Sequence, residues 1–293
     1  MKQLSLFLLI LFAATAYGAE NGNSVYEPPE LINRTNISRG LVFTTHRHTK
    51  TVRDYSRLSN LVRSYPATIL IHTFRINPKH FKIRVVDTTD YGMPKANIRR
   101  LVEDTGALGG INAGFFDENG RPLGLHILRG KKRRGFTMGQ KKSAAVFYER
   151  DGLYGIISNK NYRKYFVDNK PPSPMTEAVQ SYPLLVGNGK SLWNWRPGEG
   201  IAPRSAVGIS WSGLVYLVVT DTDSFNGLSL SELATFMAQT HRCKVALNLD
   251  GGTSSQLFFK DDKHTISIEG QHRIRTALTF FPKGKEPNKP KRR

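Results

Sequence analysis

Residues 245–255 read Val-Ala-Leu-Asn-Leu-Asp-Gly-Gly-Thr-Ser-Ser. An apolar strand carries Asn248 and Asp250 into a turn of two glycines and three hydroxyl side chains. A packed strand holds those two polar groups stiffly, while Gly251 and Gly252 allow another group to approach the backbone closely. A polar cluster at the end of a buried strand is both rigid and reachable, which is what a site requires.

Three other segments follow the same pattern of apolar strand, glycine and hydrogen-bonding residues. Residues 109–117 read GGINAGFFD, and Asn112 interrupts their apolar run, so it must be hydrogen-bonded if buried. Residues 182–189 read YPLLVGNG, a strand and a turn. Residues 202–208 read APRSAVG, where Arg204 opens a strand after a proline. Arginine suits planar, bidentate binding of phosphate or carboxylate. The hairpin that follows leads to Thr220-Asp221-Thr222-Asp223, two acids at a strand end.

Hairpin signals dominate the rest of the chain. Residues 67–76 and Phe81–Asp87 alternate apolar and polar around an Asn77-Pro78 turn. Residues 143–149 and 153–158 flank Arg150-Asp151-Gly152, and 205–211 and 214–220 flank Ser212-Gly213. Residues 256–260 and 264–268 flank a third turn, and 276–281 form a last strand. Two helices are expected. Residues 95–104 place Ile98, Leu101 and Val102 on one face and stop at Gly106. Residues 230–241 open with Ser229-Leu230-Ser231-Glu232, a capping box, and continue with an apolar stripe. Many hairpins and few helices predict an α+β fold of mixed, largely antiparallel sheets, in a single catalytic-type domain.

The N-terminus reads differently. Lys2, an apolar run over residues 4–12 and small residues through Gly18 describe a secretory signal peptide over residues 1–18. The run is shorter than the roughly 20 residues a spanning helix needs. Residues 19–66 are expected to hold a polar leader, flexible over Ala19–Asn36, and a first strand. The main domain is expected over 67–282, with a basic, disordered tail over 283–293. Export predicts a periplasmic or secreted protein. Cys243 is the chain's one cysteine, so no intrachain disulfide forms. It is expected at the end of a helix as a small buried hydrophobe.

The formal net charge is +20, concentrated in residues 129–142 (RGKKRRGFTMGQKK) and in the C-terminus. Such charge attracts polyanions. No zinc-finger spacing or RNA-binding signature accompanies it, so no nucleic acid is expected. A phosphorylated or anionic glycan, or an anionic membrane surface, is the expected partner. A GxSxG elbow, a P-loop and an HExxH motif are absent. His46 and His48, the closest histidine pair, are expected on opposite sides of a strand end. The available chemistry is carboxylate, amide, arginine and backbone N–H, which suits acid–base work at an acetal centre.

Taken together, the segments resemble the phosphodiester glycosidase family. INAGFFD at 111–117, GLHI at 124–127, YPLLVGNG at 182–189 and APRSAVGIS at 202–210 carry the resemblance. VYLVVTD at 215–221, LSLSELATFMA at 228–238 and ALNLDGGTSS at 246–255 complete it, across roughly residues 68–282. Thr253 stands where the family often has a third glycine. The resemblance implies hydrolysis of a glycosyl-1-phosphodiester in an envelope or extracellular glycan. Under it, Asp250 is the principal catalytic carboxylate, with Asp221 and Asp117 as candidate partners. Arg204 would bind phosphate, and Asn112 and Asn248 would orient hydroxyls or carboxylates. Gly251, Gly252, Thr253 and Ser254 would supply N–H and O–H donors. No cofactor is firmly implied. Two other readings stay open: a non-catalytic polysaccharide-binding protein with the same fold, and a phosphodiesterase using a divalent cation held by Asp221, Asp223 and Asp250.

Overall fold

Short apolar strands, several of them buried on both faces, build three sheets, and every strand pair among the described residues is antiparallel. The computed structural model describes residues 27–55, 62–138, 143–169, 171–194, 199–221 and 227–288. The largest sheet has eight strands. From one edge it runs β1 (Glu30–Ser38), β2 (Leu41–Tyr55), β3 (Val62–Ile76) and β14 (Val215–Thr220). It continues with β13 (Ser205–Ser210), β15 (Cys243–Asn248), β11 (Leu184–Gly187) and β12 (Lys190–Ser191). A second sheet runs β7 (Lys131–Arg134), β6 (His126–Leu128), β10 (Glu177–Ser181), β8 (Ala145–Arg150) and β9 (Leu153–Ser158). The third runs β17 (Thr265–Ile268), β16 (Leu257–Lys260), β5 (Gly109–Asn112), β18 (Thr276–Pro282) and β4 (Phe81–Asp87).

One core is shared by all three sheets. Phe74 and Leu217 enter it from the first, Phe147 from the second, and Phe259 and Phe280 from the third, each fully buried. Burying each such side chain is worth about 1.5–3 kcal/mol. The other face of the large sheet is covered by the helix Leu230–Thr235 and the π-helical turn Phe236–Thr240, which bury Leu233, Phe236 and Met237. The capping box forms as expected: Glu232 N–H donates to Ser229 Oγ at 3.1 Å, and Ser229 N–H to Glu232 Oε2 at 2.7 Å. The helix Ile98–Thr105 packs Leu101 and Val102 on the third sheet and ends at Gly106 in a left-handed conformation.

The predicted hairpins are present, and the chain is a largely antiparallel α+β fold. Several expectations are corrected by contacts that are distant in sequence. Residues 67–76 and Phe81–Asp87 are strands, but they belong to different sheets, so Asn77-Pro78 turns a corner rather than closing a hairpin. Glu30–Ser38, read as the end of a flexible leader, pairs with β2. Cys243 is fully buried but begins β15 instead of ending a helix, and burial pushes its thiol up to about 12. His46 and His48 lie two apart on one strand and share a face. His46 packs on Phe236, and His48 Nε2 is 3.3 Å from Glu232. Residues 283–288 are bound to the fold rather than loose. Glu286 pairs with Arg84, and Asn288 N–H donates to Thr105 O at 2.8 Å. Residues 1–26, 139–142 and 289–293, which hold the signal peptide, the end of the basic stretch and the last of the tail, lie outside the described residues.

Candidate active site

β15 pairs with β13 as far as Leu249, whose N–H donates to Ser205 O at 2.9 Å. The chain then crosses to the third sheet. Asp250 N–H donates to Ala113 O at 2.9 Å, and Asn112 Nδ2 donates to Asp250 O at 2.5 Å. Asp250 therefore sits on the seam between two sheets, with its backbone clamped from the end of β5.

The following turn is held as tightly. Gly251 lies against β13: a Cβ there would come within 3.0 Å of Pro203 O. Gly252 has φ +60°, a left-handed conformation suited to glycine, and its N–H donates to Pro203 O at 2.7 Å. Thr253 Oγ1 is 2.8 Å from His272 Nδ1, and His272 N–H donates to Thr253 O. Ser254 hydrogen-bonds the Asp250 carboxyl. Burial pushes that carboxyl up to about 6, and the Ser254 and Gly251 hydrogen bonds and the charge of His272 pull it back only in part. A carboxylate poised near neutrality on a rigid strand end is suited to acid–base work.

The other candidates divide into three groups. Asn112 and Asn248 are buried struts. Asn112 Oδ1 accepts from Ser205 Oγ at 2.7 Å and from Gln256 N–H at 3.1 Å, which ties three strand ends together. Asn248 Nδ2 donates to Tyr182 O at 2.9 Å and to Leu249 O at 2.7 Å, while its buried Oδ1 has no hydrogen-bond partner. Both side chains hold Asp250 in place rather than reaching outward.

Arg204 also braces the site. Its Nε donates to Leu228 O and its Nη2 to Gly200 O, both at 2.8 Å. Burial lowers its pKa, against the charges of Glu199 and Glu232. Two donors of its fork are thus committed to carbonyls, which alters the expected bidentate grip on phosphate. Its stem passes Gly251, with Cδ 4.0 Å from where a Cβ would stand.

Asp117 and Asp221 each accept a hydrogen bond from a backbone N–H. Asp117 Oδ1 accepts from Arg121 N–H at 2.8 Å and closes a local turn. Asp221 Oδ1 accepts from Leu70 N–H at 3.2 Å, on β3. β13 separates β14 from β15, so the backbones that carry Asp221 and Asp250 are two strand spacings apart, roughly 10 Å. The carboxyl of Asp221 turns toward β3, away from Asp250. For a divalent cation, the described residues contain no group of three or more His, Cys, Asp or Glu placed to hold one, and Asp223 lies outside them.

Four further contributors have no signal of their own in the sequence. His272 lies in an exposed Gln-His-Arg stretch with no local motif to mark it. Gln256 is fully buried: its Oε1 accepts from Ile98 N–H at 2.6 Å, and its Nε2 donates to Ser254 O and His272 O. It bolts the turn to the helix Ile98–Thr105. Phe115 and Tyr182 stack at 4.4 Å beside the strand ends that carry Ala113 and Asn248. Their segments were visible in the sequence, but the ring pair was not, because it joins two sheets.

A sequence model of the phosphodiester glycosidase family matches residues 105–281. The uncharacterized protein YigE of Escherichia coli is 24% identical over 207 residues, which cover 66% of this chain and 76% of that one. Among solved structures, the zebrafish N-acetylglucosamine-1-phosphodiester alpha-N-acetylglucosaminidase catalytic domain, auto-inhibited by its pro-peptide, superposes with a TM-score of 0.60. It is 17% identical, with 87% of each chain covered. A hypothetical protein from Synechocystis superposes at 0.54 with 16% identity, covering 87% of this chain and 64% of the other. These structural likenesses establish a common fold.

Proposed function

The chain belongs to the phosphodiester glycosidase family, and on that premise we propose that it is an exported hydrolase of glycosyl-1-phosphodiester bonds in an envelope or extracellular glycan. The observation that carries the proposal is Asp250: a desolvated carboxylate at a three-strand junction, braced through its backbone and reached by Ser254 and His272. The C1–O bond to phosphate breaks, the phosphate monoester leaves with the bonding electrons, and water supplies the new hydroxyl at C1. Phosphate is a good leaving group, so the site needs a carboxylate more than a strong acid. Ionised Asp250 stabilises positive charge developing at C1 and accepts a proton from the attacking water. Arg204 holds the Gly200 and Leu228 loops around the turn, and its remaining donor edge faces the anionic substrate. The exposed basic stretch Lys131–Arg134 draws polyanionic glycan toward the protein.

The test is direct. Purified protein is incubated with a panel of sugar-1-phosphodiesters, with and without chelator, and released sugar is measured. Turnover that survives chelation is expected. Turnover abolished by chelator and restored by a divalent cation would favour a metal phosphodiesterase. Saturable glycan binding with no turnover on the whole panel would make the protein a binding module. Arg204→Ala should reduce turnover while the protein stays folded.

A further inference from the structure

On β3 the face that packs Ala67, Ile69 and Ile71 under the covering helices turns polar at Thr73 and Arg75, and the adjoining stretches of β1 and β2 carry polar side chains beside Leu31 and Val42. Arg34, Thr44 and Thr73 stand side by side across three strands, and Arg75 and Tyr216 form the next row. Laterally paired residues share a sheet face, so all five point the same way. Together with His46, His241 and Thr240 they line a cavity of about 190 Å³.

The cavity lies apart from Asp250. β2 and β15 are separated by four strand spacings, roughly 19 Å. Its lining contains two guanidinium groups and no carboxylate. Among the described residues neither Arg34 nor Arg75 forms a salt bridge. Thr44 adds a hydroxyl-bearing side chain, while the Thr73 hydroxyl is shared with His241 and that of Thr240 is enclosed. His241 forms the lid: its ring stacks on Tyr216 at 4.8 Å, and Nε2 is 3.0 Å from Thr73 Oγ1. His46, 6% exposed, meets it edge-on at 5.7 Å. Burial lowers both imidazoles, His241 to about 3, so at neutral pH they act as hydrogen-bonding groups without charge.

Behind this lining, His46 Nδ1 and Thr240 Oγ1 are enclosed and have no hydrogen-bond partner. Each such orphan costs about 1–3 kcal/mol. A fold that needed only a packed core here would carry apolar side chains, as it does around Leu233 and Met237. We propose that this cavity is a second binding site, for a small oxyanion of the phosphate class, gripped by Arg34 and Arg75 beside Thr44. Arg75, half-buried, forms the wall, and exposed Arg34 forms the rim. The volume holds about six waters at the liquid value, room for a phosphate and a small attached group. The site does not depend on the chemistry assigned to Asp250.

Titration calorimetry on the whole protein tests this, with inorganic phosphate in one arm, a sugar 1-phosphate in the other and chloride at equal ionic strength as control. Saturable binding is expected, about 10-fold to 100-fold weaker in Arg75→Gln and Arg34→Gln and unchanged in Asp250→Asn. Imidazole NMR signals of His46 and His241 should move on phosphate addition in wild type. The arm that binds more tightly identifies the ligand as the free ion or a monoester. Phosphate binding that both arginine variants retain at wild-type affinity would overturn the proposal. So would an equal response to chloride, or no saturable binding. Exposed Arg34 keeps the test available if Arg75→Gln fails to fold.

Discussion

Asp87 and Asp250 both end strands, and both are taken out of water, yet they are driven in opposite directions. Burial alone would push the Asp87 carboxyl up. Contacts from His126, Thr89 and Arg275 outweigh that and hold it well below the usual carboxylate range. Arg275 Nε lies 2.7 Å from Oδ1, and His126 Nε2 lies 3.5 Å from Oδ2, at the limit of hydrogen-bond reach. Asp250 receives a hydroxyl, an N–H and the more distant charge of His272, and burial wins. A paired carboxylate is a structural part, and an unpaired, desolvated one is poised for proton transfer. Elevation alone is not enough. Burial also raises Glu177, to about 7, but that side chain is enclosed, and its oxygens take Arg84 Nη1 at 2.8 Å and Val85 N–H at 3.0 Å. Asp250 combines elevation with access.

Substitutions at the two aspartates should have opposite consequences. Asp250→Asn should lower turnover of a sugar-1-phosphodiester about 100-fold to 10,000-fold. Its folded pKa is raised, so ionisation costs stability as pH climbs from about 4 to about 6. Asparagine removes that cost, and the Tm at pH 7 should hold or rise. Asp87→Asn should do the reverse, costing about 3–5 kcal/mol by stranding Arg275, as read by denaturant unfolding. Its folded pKa is lowered, so the stability it supplies is complete above the ordinary carboxylate pKa and is lost as pH falls through the folded value. Acid unfolding should therefore be less steep in that variant.

Smaller effects sharpen the contrast. Asn112→Ala should cost about 1–3 kcal/mol, because Ser205 Oγ, Gln256 N–H and the Asp250 carbonyl lose their partner. Its kcat should fall through misplacement of Asp250, with the acid limb of the pH profile unmoved. Ser254→Ala removes a hydrogen bond that favours the Asp250 carboxylate. The acid limb should shift to higher pH by less than about one unit.

Local signals in the sequence carried most of the fold. The capping box at Ser229 and Glu232, the glycine after Thr105 and the turns between adjacent strands are all encoded within a few residues. The strand-end position of Asp250 was legible for the same reason. What neighbours each strand end was not. Nothing near Asn112 announces that its amide would join β5, β13 and β15, and nothing near Arg204 announces that carbonyls of two loops would occupy its fork. Asp221 looked like a partner because it ends a strand as Asp250 does. The intervening β13 separates the two, and only sheet order reveals it. The stacked Phe115 and Tyr182 rings and the enclosed Gln256 depend on the same long-range assembly.

The most direct measurement is an NMR titration of the Asp250 carboxyl carbon in the free protein, set beside the pH dependence of kcat/KM. Both midpoints should fall at about 6, with activity lost as the pH drops below that value and Asp250 takes up a proton. An Asp250 midpoint near the ordinary value of about 4 would contradict the assignment, whatever the rate profile shows.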